Sequence, residues 1–152
     1  MLRSLHREKD LEELKFRILN LKQDFRPKWG RMDVSQMLMH CRLVLEVPLG
    51  TTVLPKTPRL IRTIGIITKK EMELFNNGIP PNMPTFTVLR PGLPCDFLLA
   101  RQNLLNTMDR YCALADSGKL PAEHALFGKM EPKDWGFLEY KHLNHHLIQF
   151  GI

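Results

Sequence analysis

Three of the chain's six histidines, His142, His145 and His146, fall within five residues of one another near the end of the sequence. Neutral imidazole is a common ligand of divalent transition metals, and two imidazoles four positions apart on a helix can reach one ion. His142 and His146 have that spacing, with His145 in reserve. The pattern H-x-x-x-H is weak by itself. For the isolated pair the plainer reading is the stronger one: a surface feature, or core histidines bonded to backbone and neighbouring side chains. A metal site would need a third ligand from another part of the chain.

Chemistry at these positions requires a helix under them. Pro132 has no N–H to lose at a first helical position, Asp134 places a negative charge in the first turn, and Gly151 offers a stop. On such a helix Trp135, Leu138, His142, His145 or His146, and Gln149 share one face, so the imidazoles extend an inward-facing apolar stripe. Upstream, Asp33 followed by Gln36 reads as a capping box opening a helix whose inner stripe is Met37, His40, Cys41, Val44 and Leu45. His40 therefore points inward, one turn from Gln36; alone, it reads as a satisfied core histidine.

The remaining elements follow from the same signals. Ser4 can cap a first helix whose apolar positions Leu11, Leu14, Ile18, Leu21 and Phe25 repeat at helical spacing until Pro27. Pro48, Gly50, Pro55 and Pro58 interrupt the chain before a helical stretch from Leu60 to Phe75, which contains Gly65 and ends at Asn76-Asn77-Gly78. Pro80, Pro81, Pro84, Pro91, Gly92 and Pro94 then punctuate a connection over 79–94 that is too long for a simple turn, and reads either as a lid or as a stiff strap across the molecule. A long core helix runs from Asp96 to Asp116 before Ser117-Gly118. Pro121 to Met130 forms a loop from which His124 either leans over the histidine helix or serves the loop itself.

Composition bounds the class. With 152 residues, 43% hydrophobic, the chain suits one domain, 1–152, with a sizeable core. The charged opening carries no signal-peptide run and no segment is long and apolar enough to span a bilayer, so the expectation is a cytoplasmic protein with no membrane partner. Cys41, Cys95 and Cys112 are odd in number and widely spaced, which argues against a disulfide framework or a thiolate zinc knot. The net charge is +6, and the one region rich in cations and free of acids is 47–70, with Lys56, Arg59, Arg62, Lys69 and Lys70. Such a region attracts anions, but aromatic interleaving and nucleic-acid motifs are missing, and no nucleic-acid partner is expected. Long amphipathic helices, few strand patterns and loops of very unequal length point to an all-α helical bundle with crossover connections.

These residues carry a resemblance. The blocks Trp29-Gly30-Arg31-Met32, Gln36 through Cys41, His124 through Met130, and Trp135-Gly136 leading into Tyr140 through Gly151 look like the DinB/YfiT-like family, in a largely uncharacterised branch of that putative metal-dependent hydrolase superfamily. The resemblance implies a four-helix bundle of up-down-down-up topology with long crossover loops. It also implies a divalent ion held by one histidine of the second helix and two of the last, which here are His40, His142 and His146. A homodimer is among its implications. Glu131 departs from the usual Ser, Thr or Asp cap, which touches the helix start and not the chemistry.

Three imidazoles leave a fourth position of a zinc-like ion open, as catalytic sites do. Imidazole-only ligation suits Zn²⁺, Ni²⁺, Cu²⁺ or Fe²⁺ without choosing among them and disfavours Mg²⁺; zinc or nickel is the expected ion. Leu143 stands where H-E-x-x-H would place its glutamate, so that route to peptidase chemistry is closed. The leading expectation is a metal-dependent enzyme of hydrolase type acting on an unidentified small molecule. His145, His124, Gln36, Gln149 and Glu139 are the candidates to support the ligands or the chemistry. The alternatives are a transferase or isomerase using a small anionic thiol drawn in by the basic stretch, and a metal-binding module without catalysis.

Overall fold

The structure, a computed structural model, describes residues 2–152. Among these residues the chain is mostly helical: α1 (Glu8–Asn20), α2 (Val34–Leu45), α3 (Arg59–Phe75), α4 (Phe97–Asp116) and α5 (Pro132–Gln149). A short 3₁₀ turn covers Thr87–Leu89 in the proline-rich connection. A two-stranded antiparallel hairpin, β1 (Glu123–His124) and β2 (Gly128–Lys129), precedes α5, with His124 opposite Gly128. No helix of the described residues is long and apolar enough to cross a membrane.

Local signals account for most of the boundaries. The N–H of Gln36 donates to Asp33 Oδ1 at 2.8 Å while Gln36 Oε1 accepts from the N–H of Asp33 at 3.0 Å, a reciprocal capping box that opens α2. Asp96 Oδ1 accepts from the N–H of Leu99 at 2.8 Å and opens α4, which stops at Ser117 with Gly118 at φ +69°. Asn76, in the left-handed region at φ 52°, ends α3. Pro132 occupies the first turn of α5, and Asp134 Oδ2 accepts from the N–H of Glu131 at 3.0 Å.

Two segments differ from the sequence expectation. Ser4 does not cap α1: the helix begins at Glu8, and the N–H of Ser4 donates to the buried carboxylate of Asp10 at 3.0 Å. At the other end α1 stops at Asn20, well short of Pro27. Leu21 is extended yet buried, and Arg101 of α4 donates to the carbonyls of Leu19 and Leu21 at 3.3 and 3.5 Å, taking up groups that would otherwise invite another turn. The stretch Pro121–Met130, expected as a loop, holds the small hairpin; two-residue strands are too short for an alternating pattern to register.

The core is built by α1, α2, α4 and α5, which pack α2 on α4, α1 on α5, α2 on α5 and α1 on α4. Leu14 and Ile18, Met37, Leu38 and Leu45, Leu104 and Met108, and Leu143 and Leu147 meet there at 1% exposure or less. From Asp134 to Tyr140 every residue of α5 is buried, so these two turns are surrounded on all sides, and the N–H of Leu5 donates to the carbonyl of Gly136 at 2.8 Å from the chain's opening segment. α3 stands outside this group and rests on the hairpin. Gly65 lets it approach: a Cβ there would lie 2.5 Å from the Leu126 carbonyl oxygen. Lys69 Nζ fixes the contact by donating to Asp134 Oδ2 at 3.0 Å and to the Lys129 carbonyl at 2.8 Å in a buried setting.

Candidate metal centre

The buried face of α2, with Met37, Leu38, Cys41 and Leu45, sets the rotation of that helix about its axis, and the buried residues of α5 set that of the last helix. The two faces so set bring His40, His142 and His146 together. One ligand nitrogen from each lies within 4.8 Å of the other two, a group that could hold a metal ion; His40 and His146 are buried and His142 retains some exposure. His40 Nε2 and His142 Nε2 are 3.0 Å apart. Nitrogens bound to one tetrahedral zinc at its usual bond length are about 3.3 Å apart. The three rings stand at steep angles, with centroids 4.7 to 4.9 Å apart.

Two of the three imidazoles have their tautomers fixed by groups that can only accept. His40 Nδ1 lies 2.7 Å from the carbonyl oxygen of Leu89, so Nδ1 carries the proton and Nε2 presents its lone pair. Gln149 Nε2 donates to the carbonyl of Trp29 at 2.6 Å, which orients the amide and leaves Oε1 to accept from His146 Nδ1 at 2.8 Å. His146 therefore also turns Nε2 free. Carbonyl partners of this kind orient metal-ligating histidines and raise their basicity. Gly30, at φ +83°, completes the arrangement, since a Cβ there would meet Gln149 Nε2 at 2.7 Å.

Burial sets the electrostatics. Desolvation holds all three rings below the ordinary imidazole range: His146 is pushed down to about 3, His142 well below, and His40 lowered with partial relief from its bond to Leu89. Mutual repulsion of the charged forms adds to the shift of His142 and His146. The cluster is held neutral, the protonation state that a metal requires. His142 Nδ1 is buried with no hydrogen-bond partner, so, unlike the other two rings, His142 has no neighbouring acceptor that fixes its tautomer.

The other expected participants separate. His145 sits beside the cluster, its ring 5.1 Å from that of His146 and 5.5 Å from that of Trp29, and is half-buried near the backbone of Ile79. Gln149 orients His146. Gln36 does not reach an imidazole, because its side chain is committed to the capping box. His124 is outside the centre: its Nδ1 accepts from the N–H groups of Leu126 and Phe127 at 3.0 and 3.3 Å, and its ring packs on Phe127 and Trp135. It serves the hairpin, and burial pushes its pKa down to about 4. Glu139, one turn before His142, is fully enclosed with Oε2 unpartnered, and burial pushes its carboxyl up to about 8, so it is protonated at neutral pH.

Sequence reasoning passed over the Leu89 and Trp29 carbonyls, which act through the backbone and leave no side-chain signature. A glycine after Trp29 was the one available hint. The basic stretch is also changed: Lys69 is spent on Asp134 and Arg62 pairs with Glu123 at 3.3 Å, leaving Lys56, Arg59 and Lys70 exposed.

No protein-family model matches the chain, and neither a curated protein nor a solved structure gives a significant match.

Proposed function

We propose that this chain is a divalent-metal-binding protein with an open three-histidine site, and that it is a metal-dependent enzyme of the hydrolase type related to the DinB/YfiT-like family. In this reading His40, His142 and His146 hold the ion through Nε2. α1, α2, α4 and α5 form the four-helix bundle in up-down-down-up order, with α3 and the proline-rich segment as the long crossover. The observation that carries it is the pairing of the His40 and His146 Nδ1 protons with the acceptors Leu89 and Gln149, which aims two Nε2 lone pairs into a buried cluster containing a third imidazole. A purely structural histidine cluster has no need to aim its lone pairs at one point.

A divalent ion in such a site acts as a Lewis acid on a substrate oxygen. The chain's own contributions are separate from that. Leu89 and Gln149 hold the ligand tautomers, the apolar walls of α2 and α5 exclude water, and Glu139 keeps a proton at neutral pH one turn away. Three neutral imidazoles without thiolate or carboxylate suit zinc, nickel, copper or ferrous iron alike, and of these zinc or nickel is the ion we propose. The anionic-thiol alternative draws less support, because two of the five cations meant to attract the thiol are committed to ion pairs.

The test is metal content of the purified protein and of the His40→Ala, His142→Ala, His146→Ala and His6→Ala variants. His6 is a fair control, since its Nε2 is bonded to the Tyr111 hydroxyl at 2.8 Å, in a different part of the core. Loss of metal in the first three alone supports the site, and equal metal content in all four removes it. Metal-dependent turnover on an ester and amide panel, abolished in His142→Ala, separates the enzyme from a binding module.

A further inference from the structure

α3 has two unlike faces. Towards the protein it offers Gly65, Lys69 and Met72. Outward it carries Leu60, Ile64, Ile67, Leu74 and Phe75, each more than half exposed. At helical spacing these five fall within an arc of about 100°, a stripe as wide as those that other helices bury in a core. Arg59 and Lys70 border one edge of it, and both are exposed.

The N-terminal end of α3 gathers positive charge that nothing neutralises. Its first turn has no acid, and Pro58 at the cap supplies no side-chain acceptor to the free N–H groups there. Lys56 and Arg59 stand at this same end, in a span, 47–70, that contains no Asp or Glu. Among the described residues Lys56, Arg59 and Lys70 enter no ion pair. The acids of the helix, Glu71 and Glu73, come only towards its other end. An exposed apolar stripe thus begins where cations, free N–H donors and the positive end of the helix dipole coincide.

We propose that α3 docks this protein on an anionic lipid surface, lying in the plane of the headgroups. Leu60, Ile64 and Ile67 enter the boundary between headgroups and acyl chains, to a depth of about 5–10 Å. Lys56, Arg59 and the helix N-terminus meet lipid phosphates, and Lys70 reaches them from the edge of the stripe while its stem stays on apolar surface. Glu71 lies inside the arc beyond this acid-free part, so the helix tilts in with its N-terminal end first and keeps Glu71 nearest water. The lack of a spanning segment, on which the expectation of no membrane partner rests, does not bear on a helix that lies in the surface. A second copy fits less well, since a chain of net charge +6 brings the same unneutralised cations to the contact.

The experiment is flotation of the full chain with phosphatidylserine-rich vesicles and with pure phosphatidylcholine vesicles, at low and at high salt. Four variants accompany it, each changing an exposed side chain, with helix content checked by circular dichroism. Wild type is expected to float with phosphatidylserine, to bind phosphatidylcholine at least about 10-fold more weakly, and to be released from phosphatidylserine by salt. Ile64→Glu should weaken binding at least about 10-fold. Lys56→Gln and Lys70→Gln should each weaken it about 5-fold, and Glu71→Gln should strengthen it. Wild type that floats with neither lipid, equal binding to the two lipids, indifference to Ile64→Glu, or weaker binding by Glu71→Gln overturns the docking. Release by inorganic phosphate at an ionic strength where chloride does not release assigns the cations to a discrete phosphate site and overturns it too. So does a dimer in sedimentation that Ile64→Glu dissociates, without any vesicle binding. Metal content is expected to be unchanged in all four variants, which separates this surface from the histidine cluster.

Discussion

The carbonyl oxygen of Leu89 lies 2.7 Å from Nδ1 of His40, so a residue of the proline-rich connection sets the tautomer of a candidate ligand carried by α2. Leu89 is held by its own side chain, 5% exposed, and by its N–H donating to the Phe86 carbonyl at 3.0 Å. Over this length the connection is a strap that reaches the site through its backbone. Its prolines limit the freedom of the free chain and lower the entropy lost when the strap is laid down.

Leu89→Ala should therefore act twice. Removing a buried leucine side chain costs about 2–5 kcal/mol of stability. Loosening the carbonyl should also weaken metal binding by about 10-fold or more, as loss of a ligand's hydrogen-bond partner does. Chelator competition on the folded variant reads the second effect. An affinity equal to wild type would show that the carbonyl does not orient His40 in the metal-bound protein.

Gln149 joins two groups that nothing else joins, the His146 ring and the Trp29 carbonyl. Gln149→Leu keeps the size and loses both bonds. Metal affinity should fall about 10- to 100-fold. The metal-free protein should melt lower as well, because a buried carbonyl left without its donor costs about 1–3 kcal/mol. A variant with unchanged affinity but a lowered apo melting temperature would confine Gln149 to the Trp29 loop.

The sequence was readable where chemistry is local. The Asp33 and Gln36 box, Asp96, Ser117-Gly118 and Pro132 sit at the ends of α2, α4 and α5 because caps act within one turn of the residue that provides them. α1 was read too long because Leu21 is buried in an extended conformation and so mimics one more helical position, while the side chain that takes up the exposed carbonyls comes from Arg101, far along the chain. The spacing of His142 and His146 was visible for the same local reason. That His40 meets them depends on how α2 packs on α5, and residue spacing cannot supply this; a family resemblance was needed to suggest it. Gln36 shows the converse, a polar side chain on an inner face that the helix start had already claimed.

The acid limit of metal binding should lie lower than for ordinary histidines. A proton competes with the metal only when the free ring's pKa is approached from above, and desolvation holds His40, His142 and His146 below the ordinary imidazole value of 6.5, with His146 near 3. Affinity should stay nearly flat from pH 8 to below pH 6.5 and decline only further into acid. Equilibrium dialysis against a weak chelator at fixed free metal measures this. A decline already under way at pH 7 would mean that the rings are solvated in solution and that the cluster is looser than the structure has it.

Glu139 allows a prediction about the metal-free protein that is independent of any activity. Its carboxyl is raised by burial from 4.5 to about 8, so between these values the folded chain holds a proton that the unfolded chain has released. The contribution is complete below pH 4.5 and is lost as pH rises through about 8, making stability fall with pH. The lowered histidines act in the opposite sense: the unfolded chain binds their protons first, so their contribution is complete above pH 6.5 and lost as pH falls below it. From pH 6.5 to 8 the histidine contribution is level and the Glu139 slope stands alone, at most about 1.4 kcal/mol per pH unit. In the presence of chelator, wild type should therefore melt progressively lower across this interval, by about 2–8 °C for each kcal/mol lost. Glu139→Gln, neutral at every pH and similar in size, should remove the slope and melt above wild type at pH 8. Identical slopes in the two proteins would place the ionisation of Glu139 near its ordinary value and require water or a partner group at Oε2.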